Sequence, residues 1–246
     1  MKRRLFLASS ISAALAGCGP IANTVANNPA WQKVLESVEP LDHALIGTRG
    51  LAREYADSAV DRNFRVNGFA TPDDSHYVRL AAHGFVDYKL VVDGAVDRPR
   101  TFAYSQLLRM PRQTQTTRHD CVEGWSAIGK WSGVRLADIL DAAGVRRDAR
   151  YAIFHCLDND GSGTLYYESL DLHQAYHPQA LLALTLNDAL LDPAHGAPVR
   201  LRVPTQLGYK SAKWVARIEL ASSFASVGGG RGGYWEDQGY EWYAGI

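Results

Sequence analysis

Short apolar segments at a spacing of two, broken every few residues by turn or helix signals, limit the folds open to this chain more than any other feature. Residues 88–92 read as a strand, Asp93-Gly94 as a tight hairpin turn and Ala95-Val96 as the start of the return. Residues 102–109 read as a short helix stopped by Pro111, and residues 114–122 as a strand rich in β-formers. Leu136, Ile139, Leu140 and Ala143 recur at helical spacing before Gly144, which suits a helix stop. Residues 150–157 read as another strand, and Ser169 as the N-cap of a helix ending before Pro178. Val199, Leu201 and Val203 alternate with Arg200 and Arg202, and Trp214, Ala216, Ile218 and Leu220 alternate likewise. Strands and helices do not alternate regularly, so the pattern predicts an α+β fold. Its core would be mixed, mostly antiparallel sheets, barrel-like, with short helices.

Both ends of the chain differ from this middle. Lys2-Arg3-Arg4 precedes an apolar stretch too short to span a bilayer, the layout of an export signal over residues 1–17. Leu15-Ala16-Gly17-Cys18 resembles the bacterial lipoprotein box, which implies a lipid anchor on Cys18. Arg3-Arg4-Leu5-Phe6-Leu7 resembles a twin-arginine signal, with Lys2 departing from the usual Ser or Thr. The expected location is the bacterial periplasm, anchored to membrane, with residues 18–61 as tether and arm, 62–226 as the main domain and 227–246 as a tail. Gly228-Gly229-Gly230 reads as a linker. Five of the 25 aromatic residues fall in the last thirteen positions, too much apolar area to leave in water, so the tail should pack on the body. Lys and Arg number 26, as do Asp and Glu, which argues against a nucleic-acid partner.

The chemistry concentrates in Arg118-His119-Asp120-Cys121-Val122-Glu123-Gly124-Trp125, where a thiol ends a strand beside two basic groups and should ionise readily. Three readings follow from the residues alone: a Cys121/His119 nucleophile, a zinc site drawn from Cys121, His119, His155 and Cys156, or one soft thiolate ligand for a redox metal. Neighbours on a strand point to opposite faces, which makes His155 and Cys156 poor joint ligands. In an oxidising compartment Cys121 and Cys156 could also form a disulfide.

Cys121-Val122-Glu123-Gly124-Trp125, followed by Gly129-Lys130-Trp131-Ser132-Gly133 and Leu136, resembles the molybdopterin-binding domain of the sulfite oxidase superfamily. Periplasmic methionine-sulfoxide reductase catalytic subunits belong to that superfamily. The resemblance runs from about residue 64 to residue 246 and implies a sulfite-oxidase-type fold and a molybdenum–molybdopterin cofactor with Cys121 as its metal ligand. The segment Phe64 to Pro72 resembles the first cofactor segment, placing Asn67, Ala70 and Thr71 at the cofactor. Cys156, and the loop Leu157-Asp158-Asn159-Asp160-Gly161-Ser162-Gly163-Thr164 after it, fall where relatives line the pterin. His195-Gly196-Ala197-Pro198-Val199-Arg200 resembles a run whose ends hold the cofactor, and Gly208-Tyr209-Lys210-Ser211-Ala212-Lys213-Trp214-Val215 the loop that grips its phosphate. A phosphate dianion needs charge-assisted hydrogen bonds, which Arg200, Lys210, Ser211 and Lys213 could give. His119 and Asp158 are expected near Cys121 as groups that tune the centre.

The resemblance also bears on substrate. Val66 stands where sulfite oxidases carry an arginine, and Leu184 follows Leu181-Leu182-Ala183 where they carry a tyrosine. A dianion in a dry pocket needs such groups, so sulfite oxidation is the alternative, and reduction of a small-molecule S-oxide or N-oxide the preferred class. With neither haem domain nor extra dimerisation domain in the sequence, electrons are expected from a separate haem or quinone-linked membrane partner, and a monomer is expected. A Cys/His hydrolase and a non-catalytic envelope lipoprotein are the rivals from other classes.

Overall fold

The computed structural model describes residues 50–159 and 165–246; the expectations for residues 1–49, Cys18 included, and for 160–164 lie outside the described residues. In chain order the elements are α1 (Ser75–Ala82), β1 (Lys89–Gly94), β2 (Arg100–Ala103), α2 (Tyr104–Leu107), β3 (Gln113–Cys121), β4 (Trp125–Arg135) and α3 (Leu136–Ala143). There follow β5 (Tyr151–Asn159), β6 (Leu165–Asp171), α4 (Leu172–Ala175), β7 (Leu181–Leu186), β8 (Ala189–Leu190), β9 (Arg200–Arg202), β10 (Val215–Ala221) and α5 (Tyr234–Asp237). The strands form two open sheets, one ordered β2-β1-β10-β5-β6, the other β3-β4-β7-β8 with β9 also on β7. Only the β1–β10 pair is parallel among the described strands, so the fold is the expected mostly antiparallel α+β type, as sheets that do not close into a barrel.

The main core lies where Leu90 and Val92 of β1, Phe154 of β5, Leu182 and Leu184 of β7 and Ile218 of β10 meet the inner face of α3. α3 presents Leu136, Ile139, Leu140 and Ala143, all fully buried, and ends at Gly144 in the left-handed region (φ 68°), as its spacing predicts. β7 is buried along its whole length, which explains its near-continuous apolar sequence. Its Ala183 joins a second cluster with Phe64, Trp131, Leu186, Leu191 and Ala197. The glycines flanking Trp131 make that cluster possible. A Cβ on Gly129 would lie 2.9 Å from both Phe64 and Leu186, and one on Gly133 would lie 2.6 Å from the Ala183 Cα, at the bulge between β4 and β7.

Several local expectations are corrected by long-range pairing. Asp93-Gly94 does not turn: both residues stay in β1, paired in parallel with Glu219 and Leu220 of β10. The chain reverses over residues 95–99, where Val96 bridges Val145, and Phe102 extends β2 rather than starting a helix. Ser169 is no cap; it lies in β6, and Asp171 caps α4 by accepting from the Gln174 amide at 2.7 Å. The 228–230 glycines are no free linker, because Gly229 donates to Asp237 at 2.6 Å. The aromatic tail does pack on the body: Trp242 lies edge-on to Tyr151 at 5.7 Å, and its indole donates to Ser169 at 2.9 Å.

Replacing Gly133 with Ala should force the β4–β7 bulge apart and lower unfolding free energy by about 1–3 kcal/mol, read by urea denaturation of cofactor-free protein. A midpoint unchanged from wild type would show that the close approach at Ala183 does not matter.

Candidate active site

Cys121 sits where β3 turns into β4. Its carbonyl accepts from the Gly124 amide at 3.0 Å, and Gly124 takes a left-handed φ of 85° to close the turn and pair Cys121 with Trp125. Glu123 braces the turn from two sides, accepting from the Trp125 indole at 2.8 Å and from the Gly68 amide at 3.2 Å. Cys121 lines a cavity of about 140 Å³ that Asn67, Asp158, Ser211, Ala212 and Lys213 also line. The thiol-bearing turn and the basic loop after β9 therefore share one cavity.

The cations behind this cavity are its most telling feature. Arg200 is fully buried and donates to Asn67 Oδ1 at 3.0 Å and to the His195 carbonyl at 3.2 Å. Arg202, also fully buried, donates to the Arg118 carbonyl at 2.7 Å and to Thr117 Oγ1 at 3.1 Å. Both guanidinium groups lie over Trp131, at 5.2 and 5.5 Å from its ring. Neither has a carboxylate at ion-pair distance among the described residues, and Arg200 Nε and Arg202 Nε and Nη1 have no partner. Burial pulls their pKa values down, Arg200 to about 10 and Arg202, with Arg200 beside it, to about 9. Lys213 donates to the carbonyls of Asn67 and Phe69 and, at 3.2 Å, of Ala194; burial and then Arg200 bring it down to about 7. Buried, uncompensated positive charge is costly, and an anion in the cavity relieves it. The donor set thus fits an anionic cofactor with a phosphate, and a thiolate fits a soft metal.

Other expected residues fall in different places. Burial, against Arg200 and Arg65, pushes the Cys121 thiol above its ordinary value, so the expected ready ionisation is corrected: a metal, not the local bases, would have to displace its proton. Burial, then Arg200, Arg202 and Lys213, holds His119 well below its ordinary value, as the neutral ring. Neither of its nitrogens has a partner among the described residues, so it makes no hydrogen bond to Cys121 and no Cys/His pair is formed. Asp158 lines the cavity with Oδ1 unpartnered, and burial raises it to about 7. His195 holds Asp192 at 2.9 Å and the Phe64 carbonyl at 3.0 Å, and so braces the first segment from outside the cavity lining. Cys156 is buried in the main core, with burial raising its thiol; it and Cys121 are both free. Ala70 and Thr71 are exposed and do not line the cavity. Among the described residues no three His, Cys, Asp or Glu side chains converge on a metal-sized site, and His155 meets Glu219 and Arg217 instead.

Lys210 departs furthest from expectation. Its ammonium does not face the cavity: it is 1% exposed and held by Glu168 and, at 2.6 Å, by Glu236. Burial opposes its charge, but the two carboxylates outweigh that and raise its pKa. The lysine joins the basic loop to β6 and to α5 of the tail. Sequence reasoning also missed Arg202, whose alternation with Leu201 and Val203 imitates a wet strand face. It missed the tail residues Trp235 and Tyr240 in the cavity lining as well.

Residues 78–226 match the family model described as the oxidoreductase molybdopterin binding domain. The chain is 39% identical over 195 residues to the Azospira oryzae protein named "Putative protein-methionine-sulfoxide reductase subunit YedZ1", covering 79% of this chain and 68% of that protein. It is 30% identical over 180 residues to the protein-methionine-sulfoxide reductase catalytic subunit MsrP of Campylobacter jejuni, covering 68% of this chain and 60% of the relative. For MsrP of Ralstonia nicotianae the figures are 31% over 232 residues, 89% and 68%. Among solved structures it resembles the sulfane dehydrogenase SoxCD from Paracoccus pantotrophus, with a TM-score of 0.51 and 27% identity over 56% of this chain and 39% of that one.

The Glu168–Lys210–Glu236 cluster separates two roles for Lys210. Lys210→Met should cost the cofactor-free protein about 3–5 kcal/mol in denaturant unfolding, because it leaves two buried carboxyl groups without their cation. A stable variant that only loses cofactor would instead make Lys210 a phosphate ligand.

Proposed function

Because the chain belongs to the family of oxidoreductases with a molybdopterin-binding domain, and is an enzyme that uses the molybdenum cofactor, we propose that it reduces organic S-oxides, of the class that includes methionine sulfoxide. The methionine-sulfoxide reductases among its relatives support that class. When bound, the cofactor supplies the exchange of an oxygen atom and two electrons with substrate. Cys121 would hold its metal; Lys213, with Ser211, Ala212 and Asn67, would hold its anionic end, and Arg200, which is not in the cavity lining, would back it from behind Asn67.

The observation that carries the choice of reduction over sulfite oxidation is Asp158, while the S-oxide class among reductions rests on the relatives. Turning an S-oxide into a thioether and water consumes two protons as well as two electrons, so the cavity needs a proton donor near neutrality. Asp158 lines the same cavity as Cys121, and its desolvated carboxyl holds a proton up to about pH 7. The cations, by contrast, would be taken up by the cofactor's anionic end, Lys213 from the cavity lining and Arg200 from behind Asn67. Leu184, in the place of the sulfite oxidases' tyrosine, is fully buried in the main core. A dianionic sulfite would therefore lack that hydroxyl as a partner.

The wider setting belongs to the same proposal. Lys2-Arg3-Arg4 and Leu15-Ala16-Gly17-Cys18 support export to the bacterial periplasm and a lipid anchor on Cys18. Electrons would come from a separate membrane partner of haem or quinone type, with the catalytic chain a monomer.

Purified enzyme, screened with a reduced viologen dye, should turn over sulfoxides faster than N-oxides, leave sulfite untouched, and contain about one molybdenum per chain. Activity should fall as pH rises through about 7, because Asp158 then loses its proton. Asp158→Asn should lower kcat about 10²-fold at pH 6 and flatten that limb. A variant that keeps the wild-type pH profile would remove Asp158 from the proton path.

A further inference from the structure

The tail lies outside the segment that matches the family, yet it supplies two side chains to the cavity, Trp235 and Tyr240. Their rings are stacked, with centroids 5.3 Å apart and planes 27° from parallel. Tyr209, from the basic loop, meets Tyr240 edge-on at 5.3 Å. Tyr240 stays 41% exposed, and Phe69, also in the lining, 50%. The stack thus runs from the cavity out to solvent, and part of its aromatic area is left unburied in the cavity that Cys121 also lines.

The stack is held firmly. Glu236, the neighbour of Trp235, accepts from buried Lys210 at 2.6 Å. Asp237 accepts from Tyr167 at 2.7 Å, and Tyr209 donates to the Glu241 carbonyl at 2.7 Å. A wall pinned at both ends is preorganised, so little ordering is needed when a ligand packs on it.

We propose that the Trp235–Tyr240 stack is the specificity-determining wall of the site and takes the carbon substituent of an organic S-oxide. The inference rests on the S-oxide reading. An S-oxide has an electropositive sulfur carrying two carbon groups; both suit the electron-rich face of an indole or phenol. Sulfite carries no carbon and a double negative charge, which that face repels. Packing on the wall therefore favours substrates with a larger apolar arm, and it separates S-oxides from inorganic oxyanions.

The test compares wild-type holoenzyme with Trp235→Ala, Tyr240→Ala and Trp235→Phe, using dimethyl sulfoxide and benzyl methyl sulfoxide. The ratio of kcat/KM for the benzyl over the dimethyl compound should fall about tenfold in either alanine variant and recover in Trp235→Phe. Calorimetric binding of benzyl methyl sulfide, which involves no turnover, should weaken by a similar factor. An unchanged ratio together with unchanged sulfide binding would overturn the wall. Failure of wild type to reduce either sulfoxide would instead defeat the S-oxide reading, while sulfide binding would still decide whether the wall holds a thioether.

Discussion

Two guanidinium groups with no carboxylate partner among the described residues, buried against the indole of Trp131, are the constraint on which the rest of the site depends. A protein gains nothing by burying such charges for their own sake, since their desolvation is repaid only by a partner. Their neutral hydrogen bonds place them: Arg202 ties β9 to β3, three residues before Cys121, and Arg200 ties β9 to the Asn67 turn. The same interactions therefore gather the thiol, the first cofactor segment and the basic loop around one anion-seeking cavity. The small residues of β4 belong to this arrangement. Without Gly129 and Gly133, Trp131 could not sit close enough to Phe64 and β7 to floor the cluster.

The tail solves a different problem. Lys210 would add a fourth cation, after Arg200, Arg202 and Lys213, and the structure instead neutralises it with Glu168 and Glu236. That buried cluster joins the basic loop, the β5–β6 hairpin and α5, so the cofactor side and the aromatic side of the cavity share one anchor. On the proposed reading, cofactor binding falls to the body of the domain and substrate choice to its tail.

What could be read from the sequence follows from how local the cause is. α3 was legible because four apolar residues at helical spacing and a terminal glycine act within ten residues, and the strand that ends at Cys121 because its β-formers are contiguous. Asp93-Gly94 misled because its partner strand, β10, lies some 125 residues away, so turn chemistry lost to sheet pairing. Arg200 and Arg202 alternate like a wet strand face. They are dry because the basic loop folds back over β9, with Leu201 donating to Ala212 at 2.8 Å and Val203 to Ser211 at 3.2 Å. Lys210 and Lys213 are indistinguishable as letters three apart in one loop. Only the fold sends one to carboxylates and the other to the carbonyls that border the cavity.

The claim that Cys121 holds the metal is tested most directly by X-ray absorption at the molybdenum edge, on wild type and on Cys121→Ser purified in parallel. The account predicts that the variant keeps its fold and loses one sulfur neighbour of the metal. Equal sulfur counts in the two proteins would contradict it.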